Sequence, residues 1–299
     1  MAMVISIASG KGGVGKSVVA SNLGLLWAKQ GKRVVLVDLD IGGANLHLLF
    51  GEMQPSLTLA DFLARRVDSL EQLMCEVHWG HRLQLIAGSS HPLALAELSY
   101  PKKQRLLRHL RKLDADIVIL DCAPGTHFHA LDFFLLGSVQ LAMATPDPPA
   151  TIELYRFIKS AAFRKLMIRC EDRGVIKSIL RQHDYEGLSE VYARMACRHP
   201  LGREAAEMAL QGFHPLVIIN RMHPRSTLSI AYLQQMINKF IGCDVAVAGE
   251  IPEDPAVSRS IHLFQPVVEL DPYCPAAQAL AHLGQSLDQY REVPCLLPA

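Results

Sequence analysis

Residues 9–17 read SGKGGVGKS, with lysines at 11 and 16 set among four glycines. Gly10, Gly15, Lys16 and Ser17 satisfy G-x-x-x-x-G-K-[ST], directly after the apolar run VISIA and before the helix-forming VVASNLGLLWAKQ. A strand, a glycine-rich turn and a helix in that order curl backbone N–H groups inward around phosphate oxygens, and the helix start adds partial positive charge. The pattern assigns Lys16 to the β- and γ-phosphates and the Ser17 hydroxyl to Mg²⁺. Gly10, Gly12, Gly13, Val14, Gly15, Lys16, Ser17 and Val18 are the candidate contacts. The alternative is a glycine turn that binds nothing. One lysine suffices for such a loop, so Lys11 needs an explanation of its own.

Carboxylates follow at strand ends. VDLDIGGANLHLLFG carries Asp38 and Asp40 two residues apart, which shares a face only if the strand continues through both. They could equally cap the loop. DIVILDC delivers Asp121 after four apolar residues, a hydrophobic strand bringing an acid toward Mg²⁺, and APGT follows it. His127 and His129 form H-x-H, a spacing open to metal, although loop or interface histidines are the preferred reading.

The elements that must hold these groups recur in order. VISIA, RVVLVDLD, LQLIAG, DIVILDC, VQLAMATP, PLVIIN and VAVAGEIP read as short buried strands, each followed by helical periodicity. That alternation predicts an α/β fold with a doubly wound, mostly parallel sheet, whose ligands sit at the C-terminal strand ends. The rhythm breaks from about 152 to 212, where only helical segments occur. We expect one P-loop domain over 1–299, with a helical insertion over 164–213. The net charge of +1 supplies no global field toward nucleic acid or anionic lipid. Seven cysteines without a C-x-x-C pair fit a reducing compartment and argue against an iron–sulfur carrier. No run reaches the length of a membrane span, and a cytoplasmic protein is expected.

KGGVGKS, with its early lysine, resembles the deviant Walker A loop of the MinD/ParA family of ATPases. The resemblance implies a P-loop fold, ATP with Mg²⁺, and a dimer in which Lys11 reaches the partner's nucleotide. VDLDIGGANLHLLFG is similar to the family's switch I. By that likeness Asp38 supports the Mg²⁺ shell, Asp40 positions the attacking water and Asn45 contacts the phosphate region. Gly125 and Thr126 resemble switch II, approaching the γ-phosphate. VIINRM and GEIPEDPAVSRSI resemble the base pocket, with Asn220 reading adenine, Arg221 beside it, and Pro252 and Asp254 closing the loop. The stretch from ALDFF to IKSA is similar to the branch that includes FlhG and FleN.

The resemblance thus implies a dimerising ATPase switch that positions cellular machinery such as a division site or flagella, with slow hydrolysis stimulated by a protein partner. A ParA-like partitioning ATPase, binding DNA non-specifically, is the alternative reading; a related amide-forming ligase lacks a candidate nucleophile here. The C-terminal SLDQYREVPCLLPA carries two prolines and no basic face, so membrane anchoring through an amphipathic helix is not expected and any membrane contact would pass through a partner. The chain also starts at the first strand, without the glutamine-containing extension of FleN-like proteins. Two basic stretches, PKKQRLLRHLRK and residues 164–203, are expected to be solvated helix faces, with a partner protein or DNA phosphates as the other readings.

Overall fold

The computed structural model describes residues 2–89, 98–169, 178, 185, 187–198, 202–226, 228–242 and 245–290. Eight strands form one sheet in the order β3-β4-β2-β5-β1-β6-β7-β8. In chain order they are β1 Met3–Ala8, β2 Val34–Leu39, β3 Cys75–Val77, β4 Gly80–Ile86, β5 Ile117–Cys122, β6 Val139–Ala144, β7 Leu216–Met222 and β8 Ala246–Pro252. Every pairing is parallel except β3 with β4. The four central strands β1, β2, β5 and β6 are buried along their whole length, which is why they read as continuous apolar runs. The seven strands read from the sequence are all present. The eighth, β3, escapes detection because CEV is three residues long and only its last residue is buried.

Helices cover both faces. On one, α1 (Lys16–Lys29) packs with helix Pro275–Leu287 against the apolar side chains Ile5, Ile7, Leu36 and Ile119. On the other lie α3 (Tyr100–Leu110), α4 (Phe128–Phe134), α5 (Pro148–Arg169) and helix Ile230–Ile241, over Val35, Val118 and Ala142. A short helix, α2 (Leu59–Leu63), begins at a capping box in which Thr58 and Asp61 satisfy each other's backbone. Between β6 and β7 the described residues hold α5 and helices Leu188–Arg198 and Gly202–Leu210, and no strand. Other parts of the expected 164–213 insertion, and the last nine residues of the C-terminal segment, lie outside the described residues. Among the described residues no helix is long and apolar enough to cross a membrane.

The basic stretches depart from expectation. Lys103 and Arg164 are not solvated: both bind Asp132 of α4, with Lys103 and Asp132 each about 4% exposed. Arg164 contacts both oxygens, at 2.6 and 2.9 Å, and stacks on Phe128 at 4.7 Å. Arg105 donates to the carbonyls of Phe62, Val67 and Asp68, fixing the turn after α2. Lys165 is buried, donates to the Gln211 carbonyl at 3.1 Å, and has its ammonium pushed down to about 8 by burial and by Arg169. These four cations are internal fasteners because each finds an oxygen that water would otherwise have to supply.

The Asp132 cluster joins α3, α4 and α5. Removing its only carboxylate leaves two buried or half-buried cations facing each other, a larger cost than the pair itself is worth. Asp132→Ala is expected to lower unfolding free energy by about 3–5 kcal/mol in urea titration. A loss below about 1 kcal/mol would mean that the three helices hold together without the cluster.

Candidate functional site

Because β1, β2, β5, β7 and β8 run parallel, their C-terminal ends gather every candidate group on one edge of the sheet. The loop after β1 ends in Gly15, whose φ of 96° lies in the left-handed region. A Cβ at Gly15 would collide with the Asn220 side-chain amide, and one at Gly10 would collide with the Glu153 carbonyl of α5. Asn220, at the end of β7, donates its amide to the Val14 carbonyl at 2.7 Å. The two loops assigned to phosphate and to base are thus bonded to each other. Lys16 is buried at the start of α1, and Lys11 is exposed on the rim. Ser9 accounts for the rim's shape: its hydroxyl donates to the Lys11 carbonyl, and its own carbonyl accepts from Gly125 N–H.

Asp38 and Asp121 are direct partners in the β2–β5 register, both no more than 2% exposed. The strand ends at Leu39, so Asp40 does not continue the alternation; the chain turns back instead. Asp38 causes that turn. Its Oδ1 accepts from Asp40 N–H at 3.0 Å, and its Oδ2 from the N–H groups of Asn45 and Leu46 at 3.1 Å each. The Asn45 amide folds onto the Gly43 carbonyl, leaving Asn45 exposed. Burial first, and then the Asp121 charge, raise the Asp38 carboxyl above its ordinary range against the pull of its backbone donors. Burial likewise raises Asp121, while Lys16 and a hydrogen bond from Ser17 oppose the shift. One Asp121 oxygen, Oδ1, is buried without a partner.

That arrangement fits a divalent cation. Two adjoining buried carboxylates repel, and an orphaned oxygen beside the Ser17 hydroxyl is a ligand in waiting. Among the described residues no group of three or more His, Cys, Asp or Glu forms a metal cluster, so such an ion would need phosphate oxygens and water to complete its shell. The His127 and His129 rings stand 6.2 Å apart, and His127 Nδ1 accepts from Ala130 N–H.

The base-side residues meet at the ends of β7 and β8, where Asn220 pairs with Ile251 and Met222 with Pro252 around a bulge. Arg221 occupies that bulge, exposed and left-handed with φ 57°. Glu253 N–H donates to the Met222 carbonyl at 2.9 Å. Asp254 is not a free carboxylate lining a pocket: it accepts from Ala256 N–H at 2.8 Å and Ala276 N–H at 3.2 Å. It caps helix Pro255–His262 and ties it to the next long helix, so it shapes the loop from behind. Sequence reading passed over Glu153, whose backbone backs the phosphate loop, because a carbonyl carries no sequence signal.

A doubly wound parallel sheet with a glycine loop after β1 and an acid at the end of β5 defines a P-loop nucleotide-binding protein. The chain belongs to the CobQ/CobB/MinD/ParA nucleotide binding domain family, whose model matches residues 5–267. It is 27% identical over 289 residues, 96% of the chain and 88% of the relative, to an uncharacterised ATP-binding protein of Methanocaldococcus jannaschii. Identity to the antiactivator FleN of Pseudomonas aeruginosa is 25%, over 96% of the chain and 86% of FleN. The septum site-determining protein MinD of Pyrococcus horikoshii, solved with Mg-ADP, has the same fold: TM-score 0.67, 22% identity, and 98% of each chain covered.

Gly15→Ala combines a strained left-handed residue with a collision against Asn220. Nucleotide affinity in a fluorescent ATP-analogue titration is expected to fall at least roughly tenfold. Unchanged affinity would show that the Asn220–Val14 bond and the loop conformation are not needed to form the phosphate cradle.

Proposed function

We propose that the protein is a Mg²⁺-dependent ATPase switch that positions cellular machinery, dimerising with ATP and separating after hydrolysis. The observation that carries this reading is the division between its two loop lysines. Lys16 is buried beside the acid pair and suits the chain's own nucleotide, whereas Lys11 is exposed on the rim. A cation presented outward from a phosphate loop has a use when a second subunit brings its triphosphate against it. The likeness to FleN supports the positioning role.

In this reading the loop amides and Lys16 hold the β- and γ-phosphates, and Ser17 with Asp121 and Asp38 would hold Mg²⁺. The bound ion would neutralise charge that develops on the phosphates. Asp40, half-buried where the switch I turn begins, orients water for attack; its backbone is fixed by Asp38. Gly125, with φ 93°, lets switch II approach the γ-phosphate and is tethered to the phosphate loop through Ser9. Asn220, Arg221 and the Pro252–Asp254 turn enclose the base. A protein partner would then stimulate hydrolysis and set the location.

Two substitutions separate the parts. Lys11→Ala should keep ATP binding within about threefold yet remain monomeric by size exclusion with light scattering; an ATP-dependent dimer of this variant would sink the trans role. Asp40→Ala should bind ATP, lose hydrolysis by roughly a hundredfold or more, and accumulate as dimer. Hydrolysis at the wild-type rate would refute its role in orienting water.

A further inference from the structure

The cap of α4 is a titratable group directly after the switch II loop, His127, and Asp40 acts on it electrostatically. His127 is the residue before α4, with extended backbone, and its Nδ1 accepts the Ala130 N–H at 3.3 Å. For that bond to form Nδ1 must carry no proton, which is the neutral imidazole with its hydrogen on Nε2. Asp40 lies close enough to bear on the ring, and so does the Pro124 carbonyl of the switch II loop. Both favour a positive imidazole, yet burial outweighs them and holds His127 below its ordinary value. Charging it would also destroy the cap and place a cation beside the free N–H groups that open α4.

The surroundings confine this device to His127. Its sister His129 faces Lys103 of α3, Asp132 of α4 and Arg164 of α5, and its Nδ1 is buried without a partner. Asp132 anchors α4 to the neighbouring helices, so the body of the helix is fixed while its first turn depends on the His127 cap. The loop Ala123–Thr126 is tied to the phosphate loop by the Gly125 N–H bond to Ser9, and it runs into α4 at that cap, whose ring also meets the Pro124 carbonyl.

We propose that His127 is a positioning residue for hydrolysis: as a neutral imidazole it caps α4 and so sets the switch II loop that leads into it. The inference rests on the ATPase reading above. It requires no proton transfer to substrate, only that the ring stay neutral and bonded. Lowering the pH through the depressed value of His127 therefore releases switch II.

The test compares wild type, His127→Ala and His127→Asn as full chains, since asparagine is a strong helix cap that does not titrate. His127→Ala should lower kcat for ATP roughly tenfold with KM within about twofold, as expected for a lost cap felt only in the reacting geometry. His127→Asn should restore kcat to within about threefold of wild type near pH 7.5. As the pH falls into the acid range the wild type should fall off more steeply than His127→Asn, because only the wild type carries an imidazole at the cap. Hydrogen exchange over residues 123–134 reads the same cap without hydrolysis: faster in His127→Ala, wild-type-like in His127→Asn.

A His127→Ala protein with wild-type kcat and exchange would overturn the proposal. So would a His127→Asn protein as slow as the alanine variant, or one whose pH profile superimposes on that of the wild type. A wild type that neither binds nor hydrolyses ATP would instead remove the ATPase reading, and the exchange comparison would still judge the cap.

Discussion

The register that sets Asp38 beside Asp121 governs the rest of this molecule. Two carboxylates on neighbouring central strands, both removed from water, form an arrangement that a folded chain holds at a cost. The protein offsets it from several directions. Three backbone N–H groups of the following turn close on Asp38, and Lys16 and Ser17 come from the start of α1 to Asp121. The turn of switch I and the placement of the phosphate loop are therefore both answers to one electrostatic problem. What remains unanswered is Oδ1 of Asp121, and a cation with its anionic ligand is the chemistry that would complete it.

The fold and the phosphate loop were legible because both are written in local patterns. Four buried strands produce mostly apolar runs, and the glycines of residues 10–15 sit in one short window beside Lys16. The charged residues of α3 and α5 were misread for the opposite reason. Helical periodicity places Lys103 and Arg164 relative to their own helices, but the carboxylate that draws them inward, Asp132, is 29 and 32 residues away. Nothing in a single stretch says whether a lysine stem ends in water or on an acid across the fold. Asp254 illustrates a third case: its place at the base-side loop could be read, but the two helix ends whose N–H groups its oxygens accept could not.

These observations describe a site assembled from rigid parts joined by few bonds. The sheet fixes the acids, α1 fixes Lys16, and the Asp132 cluster fixes the body of α4. The pieces between them are short turns: the one after Asp38 is held by three N–H bonds to its carboxylate, and the one after Asp121 is tied by the Gly125 N–H bond to Ser9. Under the proposed reading a switch would benefit from that division, because small changes at the phosphates would act on the turns while the frame stays put.

The bond from Asn220 to Val14 carries a consequence for nucleotide choice. An amide whose nitrogen is committed to a carbonyl cannot be rotated end for end without breaking that bond, so its two ends keep their identities. Under the proposed reading, the edge offered to a base is then one carbonyl acceptor and one remaining N–H. That polarity complements a purine bearing an amino group next to N7, and it meets two acceptors on one bearing a carbonyl there. The choice of adenine over guanine would thus be held in place by the backbone of the loop that grips the phosphates.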